Sequence, residues 1–378
     1  MNKAKVWGLW LLLAGTVPSA QAQKKKLPLI KANTISIDIK DGAVLRKKAW
    51  SIAPSEKPDV YITHSNQVTF YTDADSISFR IEPARTYDFI ILLNGRDSAW
   101  TRIQYEPSRQ DKLKRGQTYN VYDKRSVPAF QYQSMDDSNL VRIRQELQLD
   151  SVAGTGNEIS RILNLMHWVH QVVPHDGNSS NPAQKNALDL LRVCRSDNRG
   201  LNCRMMATVL NECYLSLGIK SRYITCMPRE TEFDDCHVIN MVYSNDLDKW
   251  IWIDPTFDAY VMDEKGGLLG IGEVRERLIK GQTLILNPEA NWNRKTSQTK
   301  EEYLDTYMTK NLYRLQTPLL STYDTETWKD GKQITYVELL PLDGIGQTPQ
   351  KLEEVNKETG VHFMYYKTNN PATFWAKP

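Results

Sequence analysis

The sequence lacks a long apolar run, an excess of charge of one sign and most motifs that bind ions or phosphate. Its main apolar run, VWGLWLLLAG, is shorter than the roughly 20 residues that a transmembrane helix needs. It contains no CxxC pair, no Gly-rich phosphate loop, no DxDxDG calcium loop and no internal repeat. These absences argue against a membrane span, a structural zinc site and a calcium-activated enzyme, and we predict no cofactor and no metal.

The charge balance is close to neutral. The formal net charge is +3, and loss of Lys3 and Lys5 with a cleaved leader lowers it to +1. Such a balance argues against nucleic acid or an anionic membrane surface as the main partner.

Residues 1–22 have the organisation of a secretory signal peptide. Two lysines precede the apolar run, and the small residues Ala20 and Ala22 predict cleavage after Ala22. No cysteine follows the run, so the residue that carries a bacterial lipid anchor is missing. We predict a secreted or periplasmic protein; the alternative is an uncleaved anchor.

Three segments follow the leader. Residues 28–106 contain short alternating runs such as TISIDIK and QVTFYT, separated by turns that include Asn94-Gly95. They predict an antiparallel β-sandwich, an accessory domain with a structural or targeting role; the alternative is a ligand-binding domain. Residues 107–136 are polar and predict a linker, and residues 137–378 predict a catalytic domain with a C-terminal extension. The aromatic-rich chain end predicts docking onto a core, or a share in lining a cleft.

Cys203 lies where a thiolate is favoured. Asn202 is a good N-cap, so Cys203 falls in the first turn of a helix that Gly218 ends. Unpaired N–H groups and the positive dipole end stabilise the thiolate there. Five cysteines in an exported chain leave one without an internal partner, and Cys203 is the natural free one. Disulfides can form among the other four cysteines, for example between Cys226 and Cys236. These four are Cys194, Cys213, Cys226 and Cys236.

His237 and Asp254 lie on two strands of a predicted hairpin, HVINMVYS and KWIWID. A turn centred on Asn245-Asp246 places them directly opposite each other, and a loop two residues longer makes them diagonal neighbours on one face. Either register brings them within roughly 5 to 8 Å, close enough for a carboxylate–imidazole hydrogen bond. An odd-length loop without a bulge separates them onto opposite faces.

This ordered set resembles the transglutaminase-like superfamily of cysteine enzymes. The resemblance runs from about Glu158 to Phe257 and includes LSLGIKSRYI after the cysteine helix and WIWIDPTFD around Asp254. It implies an α+β fold, in which a papain-like nucleophile helix packs on an antiparallel sheet. It also implies that Cys203 is the nucleophile, that His237 is the general base and acid, and that Asp254 orients the imidazole. Ile239 departs from the aromatic residue that many members have at this position.

Two further residues are candidates for the substrate site. A helix predicted from Glu158 to Val173 packs behind the nucleophile helix, and the turn after it contains His175. His175 is a candidate for the substrate rim, the alternative being an ordinary polar turn. Asn202 is a candidate oxyanion donor, although capping occupies its side-chain oxygen.

The sequence therefore predicts an exported cysteine peptidase or amidase. It acts on peptide or glutamine-type amides through a thioester acyl-enzyme. One alternative is a transglutaminase, a protein-glutamine acyltransferase in which an amine resolves the same thioester. The other is a non-catalytic peptide- or glycan-binding protein on the same scaffold.

Overall fold

The computed structural model describes residues 27–378, which form two compact units, 27–106 and 107–378. The predicted signal peptide, residues 1–22, lies outside the described residues. Within 27–378, no helix has the length and apolar character needed to cross a membrane.

The first unit contains eight strands in two four-stranded sheets, ordered β1-β7-β8-β4 and β3-β2-β5-β6. The strands are β1 Leu29–Ala32, β2 Ser36–Asp41, β3 Val44–Ser51, β4 Ser55–Thr63, β5 Gln67–Tyr71, β6 Ser76–Arg80, β7 Thr86–Leu93 and β8 Asp97–Tyr105.

The inward residues of both sheets meet in one core, as the alternating sequence pattern predicts. Ile39, Phe70 and Phe89 are fully buried there, and the two phenylalanine rings lie 5.0 Å apart. Asn94 and Gly95 both have positive φ in the predicted turn between β7 and β8. The second sheet is antiparallel throughout, but edge strands β1 and β4 pair in parallel with β7 and β8. Alternation alone does not distinguish these two kinds of edge pairing.

The second unit contains all of the described helices. They are α1 Arg109–Arg115, α2 Ser138–Glu146, α3 Leu149–Ala153, α4 Glu158–Val172, α5 Ala187–Ser196, α6 Cys203–Ser216, α7 Ile271–Lys280, α8 Thr309–Asn311 and α9 Pro371–Phe374, with a π-helix at Glu301–Met308.

A seven-stranded sheet, ordered β12-β11-β10-β17-β19-β21-β20, is the centre of this unit. Every pairing in it is antiparallel except the parallel pairing of β19 with β21. Its strands are β10 Ser221–Met227, β11 His237–Ser244, β12 Lys249–Ile253, β17 Arg314–Pro318, β19 Gln333–Leu339, β20 Lys351–Val355 and β21 His362–Thr368. Three two-stranded ladders use β9 Gln131–Tyr132, β13 Val261–Met262, β14 Ile285–Leu286, β15 Asn291–Trp292, β16 Thr296–Ser297 and β18 Leu320–Ser321. The predicted α+β class is confirmed.

Helix α6 is buried on all sides, which explains why it is apolar around most of its circumference. Helices α2, α4 and α5 pack around it, and one side lies on β10 and β11. The hydroxyl of Tyr214 on α6 donates to the carbonyl of Ile162 on α4 over 2.8 Å. The helix predicted from 158 to 173 is therefore present as α4 and packs behind α6.

The segment 107–136, predicted to be a linker, packs into the second unit instead. Its helix α1 buries Leu113 in the hydrophobic core of that unit, and its strand β9 pairs with β18. Only one side chain of α1 is buried, and partly buried side chains later in the segment supply further core contacts: Tyr119, Val127, Phe130 and Tyr132. These residues are scattered among polar ones without a helical or strand period, which led to the prediction of a linker.

Candidate active site

Cys203 is the first residue of α6, and Asn202 caps this helix. The side-chain oxygen of Asn202 accepts a hydrogen bond from the backbone N–H of Met205 over 3.1 Å. Its amide nitrogen donates to Asn181 Oδ1 over 2.6 Å and to the carbonyl of Ser179 over 3.5 Å. Both ends of the Asn202 side chain are engaged, so in this structure Asn202 has no free donor for an oxyanion.

His237 begins β11, and Asp254 immediately follows β12. Asn240 pairs with Ile253, and a four-residue loop joins the strands between Ser244 and Lys249. The same register, extended by one residue, places Asp254 opposite residue 239, so His237 is its diagonal neighbour. This is the longer of the two loops that the sequence allows. His237 Nε2 lies 2.7 Å from Asp254 Oδ2, in a hydrogen bond between two buried side chains.

Asp254 is held by more than the histidine. Its Oδ2 also accepts a hydrogen bond from the hydroxyl of Tyr303 over 2.6 Å, and its Oδ1 accepts one from the backbone N–H of Thr256 over 2.8 Å. The indole N–H of Trp252 in turn donates to the Tyr303 hydroxyl over 3.1 Å. These contacts fix the carboxylate, which orients the imidazole. Tyr303 lies on the π-helix, and no local sequence signal connects it with Asp254.

The pKa values of the cysteine and the histidine shift in opposite directions. Burial raises the pKa of the Cys203 thiol, but hydrogen bonds with His175 and His237 outweigh it and lower this pKa to about 6. Burial lowers the pKa of the His237 imidazole, but the charge of Asp254 outweighs it and raises this pKa to about 10. Both directions favour a thiolate paired with an imidazolium near neutral pH. Because Nε2 of His237 faces Asp254, Nδ1 is the atom available to Cys203.

His175 lies beside Cys203 and is positioned by a second set of contacts. It forms an isolated bridge with Leu201, just before α6. The indole N–H of Trp292 donates to His175 Nδ1 over 3.1 Å. The side-chain amide of Asn293 bonds the His175 backbone twice: its oxygen accepts from the N–H over 2.6 Å, and its nitrogen donates to the carbonyl over 2.9 Å. An accepting Nδ1 leaves the proton on Nε2, which can therefore donate a hydrogen bond. Trp292 and Asn293 were not predicted, because a tryptophan before an asparagine gives no sequence signal for such a role.

The surroundings of the three residues are aromatic. The rings of Phe257 and Tyr307 lie 5.5 and 5.3 Å from the imidazole of His237. Ile239, which departs from the family pattern, lies on the same face of β11 as His237 and is buried in the core. These rings come from the loop after β12 and from the π-helix, so they pack the histidine without the aromatic residue expected at position 239.

The five cysteines, all within the described residues, are free, and no Cys226–Cys236 disulfide is formed. Cys213 and Cys226 are fully buried, and burial raises the pKa values of both thiols. Burial also raises the pKa of Cys236. Cys203 is thus distinguished from its neighbours by the direction of its shift. Within 27–378, no group of three or more His, Cys, Asp or Glu side chains is placed to hold a metal ion.

A family comparison covers the cysteine helix and the hairpin. Residues 145–255 match the transglutaminase-like superfamily. This segment is transglutaminase-like. It includes Cys203, His237 and Asp254, whereas Trp292 and Tyr303 lie beyond it. The match confirms that this segment resembles the transglutaminase-like superfamily; it does not define a substrate or a reaction.

Three solved structures are similar to the chain at low identity. One, described as a "putative cysteine protease" from Cytophaga hutchinsonii, is 18% identical, with 42% of this chain and 57% of that chain covered and a TM-score of 0.25. A red sea bream transglutaminase is 12% identical, with 61% and 49% covered and a TM-score of 0.25. A "putative protease" from Parabacteroides distasonis is 15% identical, with 46% and 32% covered and a TM-score of 0.23. The chain thus spans about half the length of the first two structures. No curated protein matches the chain.

Proposed function

We propose that this protein is an exported cysteine hydrolase that cleaves peptide or glutamine-type amides. One observation carries the proposal. Cys203 opens helix α6, the His237 imidazole lowers the pKa of its thiol, and Nε2 of that imidazole lies 2.7 Å from Oδ2 of the buried Asp254. This is the arrangement of a self-activating nucleophile, its base and the group that orients the base.

In the proposed reaction, the Cys203 thiolate attacks the carbonyl carbon of the amide, and the carbonyl oxygen becomes an oxyanion. The backbone N–H of Cys203 and the Nε2–H of His175 are the donors nearest to this oxygen in the proposal. His175 is suited to this role because it pairs with Leu201 just before α6 and lowers the pKa of the Cys203 thiol. The imidazolium of His237 then protonates the leaving amine, and the C–N bond breaks to give a thioester.

Water completes the reaction. His237, now neutral, removes a proton from a water molecule that attacks the thioester carbonyl. The carboxylic acid product leaves, and the proton returns the site to its thiolate–imidazolium form. Asp254 stays ionised throughout, because its role is to orient and stabilise the imidazolium. An amine in place of water gives acyl transfer through the same thioester.

The remaining assignments belong to the same proposal. Residues 1–22 direct export, and the mature protein is secreted or periplasmic. The β-sandwich, residues 28–106, has a structural or targeting role, and the catalytic domain lies in the second unit. Peptides or proteins are the substrates.

The test is peptide cleavage by the full mature chain, followed by mass spectrometry of a mixed peptide library. We expect new peptide termini with the wild type and none with Cys203→Ala. A matched control, Cys236→Ala, removes a neighbouring thiol outside the proposed triad and retains cleavage. Addition of a primary amine separates hydrolysis from transfer, because transfer adds the mass of the amine. Equal cleavage by wild type and Cys203→Ala contradicts the proposal.

A further inference from the structure

A groove with a volume of 430 Å³ is lined in part by the first turn of α6, the helix that begins with Cys203. Arg204, the residue after Cys203, lines it, and so does Asn181, which bonds the Asn202 cap. Most of its other lining residues come from positions 316–365, beyond the transglutaminase-like segment. The groove is therefore a feature of this chain that the family match does not describe.

The sheet register explains how the groove reaches the cysteine. Helix α6 packs on β10 and β11 through Ala207, Tyr223 and Val238, in a cluster that Cys203 joins. Thr225, two residues after Tyr223, is paired with Gln316, so both lie on the face that carries α6. The pairings continue across β19, β21 and β20 and keep Tyr336, Phe363, Tyr365 and Glu354 on this face. A substrate in contact with Cys203 can thus extend along one sheet face.

Aromatic side chains form one wall of the groove. The rings of Tyr336, Phe363 and Tyr365 lie nearly parallel, with interplanar angles of 17–23° and centroids 5.7–6.5 Å apart. Trp328 meets Phe363 edge-on at 5.9 Å and is 43% exposed. Flat rings that line a groove offer a stacking surface to a ligand.

Charged and amide groups face this wall, and their charges balance. Lys185 and Arg204 are opposed by Glu326 and Glu354. Glu326 is buried and ionically satisfied, since Arg204 contacts it at 3.2 Å and the hydroxyls of Tyr223 and Tyr336 bond it as well. An anionic ligand gains no net attraction from this lining.

Lys185 has unused hydrogen-bonding capacity although it is buried. It is only 5% exposed, and its Nζ lies 4.2 Å from the centroid of the Trp328 ring. Of its three donors, one bonds the backbone carbonyl of Glu326 over 3.0 Å. Among the described residues no second acceptor bonds this ammonium. A buried, partly unsatisfied ammonium in a groove favours a ligand that carries oxygen acceptors.

A ligand that fits this lining has a flat C–H face, hydroxyls that both donate and accept, and no net charge. A sugar ring has these properties. An apolar peptide side chain fits less well, because it would remove water from the lysine, the amides and the exposed Glu354 without replacing their hydrogen bonds. We propose that this groove binds a neutral sugar unit, so that the amide substrate is a peptide joined to a glycan. The second half of this proposal rests on the hydrolase function proposed above.

Sugar binding can be measured without catalysis. We would titrate the full mature Cys203→Ala protein by calorimetry with neutral trisaccharides of N-acetylglucosamine, mannose and glucose, and with a trigalacturonate as an acidic probe. We expect saturable binding of at least one neutral trisaccharide. Phe363→Ala and Trp328→Ala, each made in this background, are expected to weaken it about tenfold or more, because each removes a stacking face. Tyr122→Ala, which changes an 84% exposed aromatic outside the groove, serves as the matched control and leaves affinity unchanged.

Three results overturn the proposal. One is the absence of saturation by every neutral trisaccharide up to roughly 10 mM, a range that includes weak single-sugar sites. The others are tighter binding of the acidic trisaccharide, and equal affinity in the Phe363→Ala and Tyr122→Ala proteins. Because the titration uses Cys203→Ala, it is independent of the chemistry. A chain that binds sugar but has an unreactive cysteine refutes the hydrolase and leaves the sugar site intact.

For the wild type, the linked expectation is a higher kcat/KM for a glycopeptide than for the same peptide without its glycan. Trp328→Ala should remove this preference chiefly through KM, because the ring contacts the sugar and not the reacting carbonyl. If the two peptides have equal kcat/KM values while sugar binding is intact, the inference that the amide substrate carries the glycan is refuted.

Discussion

Tyr303→Phe tests whether the hydroxyl behind Asp254 positions the catalytic carboxylate. The substitution removes a 2.6 Å hydrogen bond to Asp254 and leaves the Trp252 indole N–H without its acceptor. A hydrogen bond to a charged group contributes about 1.5–3 kcal/mol. If the whole of that energy serves to orient the His237–Asp254 pair in the transition state, kcat/KM falls about 10- to 150-fold, since each 1.36 kcal/mol is a factor of ten.

The assay compares kcat, KM and the denaturant midpoint of the variant with those of wild type. We expect the loss in kcat, with KM little changed, because Tyr303 does not contact substrate. Tyr313→Phe is the matched control: its hydroxyl bonds Asp343 over 2.7 Å, in another tyrosine–aspartate pair away from the proposed triad. Both variants should lose stability, and only Tyr303→Phe should lose activity. Equal kcat values for the two variants would refute a positioning role for Tyr303.

Three further predictions concern pH, the second histidine and export. The rate of hydrolysis should rise as pH increases through about 6, where Cys203 ionises, and fall as pH increases through about 10, where the His237 imidazolium loses its proton; a profile that stays flat from pH 5 to 8 contradicts this. His175→Ala should lower kcat about 10²–10³-fold by removing an oxyanion donor, and should raise the pKa of Cys203 because a hydrogen bond that favours the thiolate is lost; unchanged kcat refutes the donor role. N-terminal sequencing of the exported protein should begin at Gln23, directly after Ala22, and a retained residue 1 contradicts cleavage.

The sequence predicts those parts of the site that depend on residues close together in the chain, namely the helix cap and the hairpin. Asn202 before an apolar helix predicts the cap, because a short polar side chain satisfies the first free N–H groups of a helix. Two alternating runs around Asn245 predict the hairpin, and the even loop length places His237 and Asp254 on one face. The loop length itself cannot be read from composition, since both two- and four-residue turns suit SNDLD, so the sequence leaves the register open.

The remaining parts of the site come from distant positions. Tyr303 is 49 residues beyond Asp254 and reaches it because its ring packs against Trp252 of β12. Trp292 contacts His175 across 117 residues. Neither contact has a periodic or spacing signal, because both depend on tertiary packing of a region outside the matched segment. The groove could not be predicted for the same reason. The parallel pairing of β19 with β21 aligns Tyr336 with Tyr365, and the sequence does not indicate which strands pair.

The most direct test of the central claim is the pH dependence of iodoacetamide alkylation at Cys203, measured by mass spectrometry in wild type and in His237→Ala. Cys236, whose pKa is raised by burial, is the internal reference in the same sample. An activated thiolate predicts rapid labelling of Cys203 near pH 6–7 that His237→Ala slows, while Cys236 labels slowly in both proteins. Labelling of Cys203 that stays slow until about pH 8.5, the value of an ordinary thiol, and that is unaffected by His237→Ala would contradict the account.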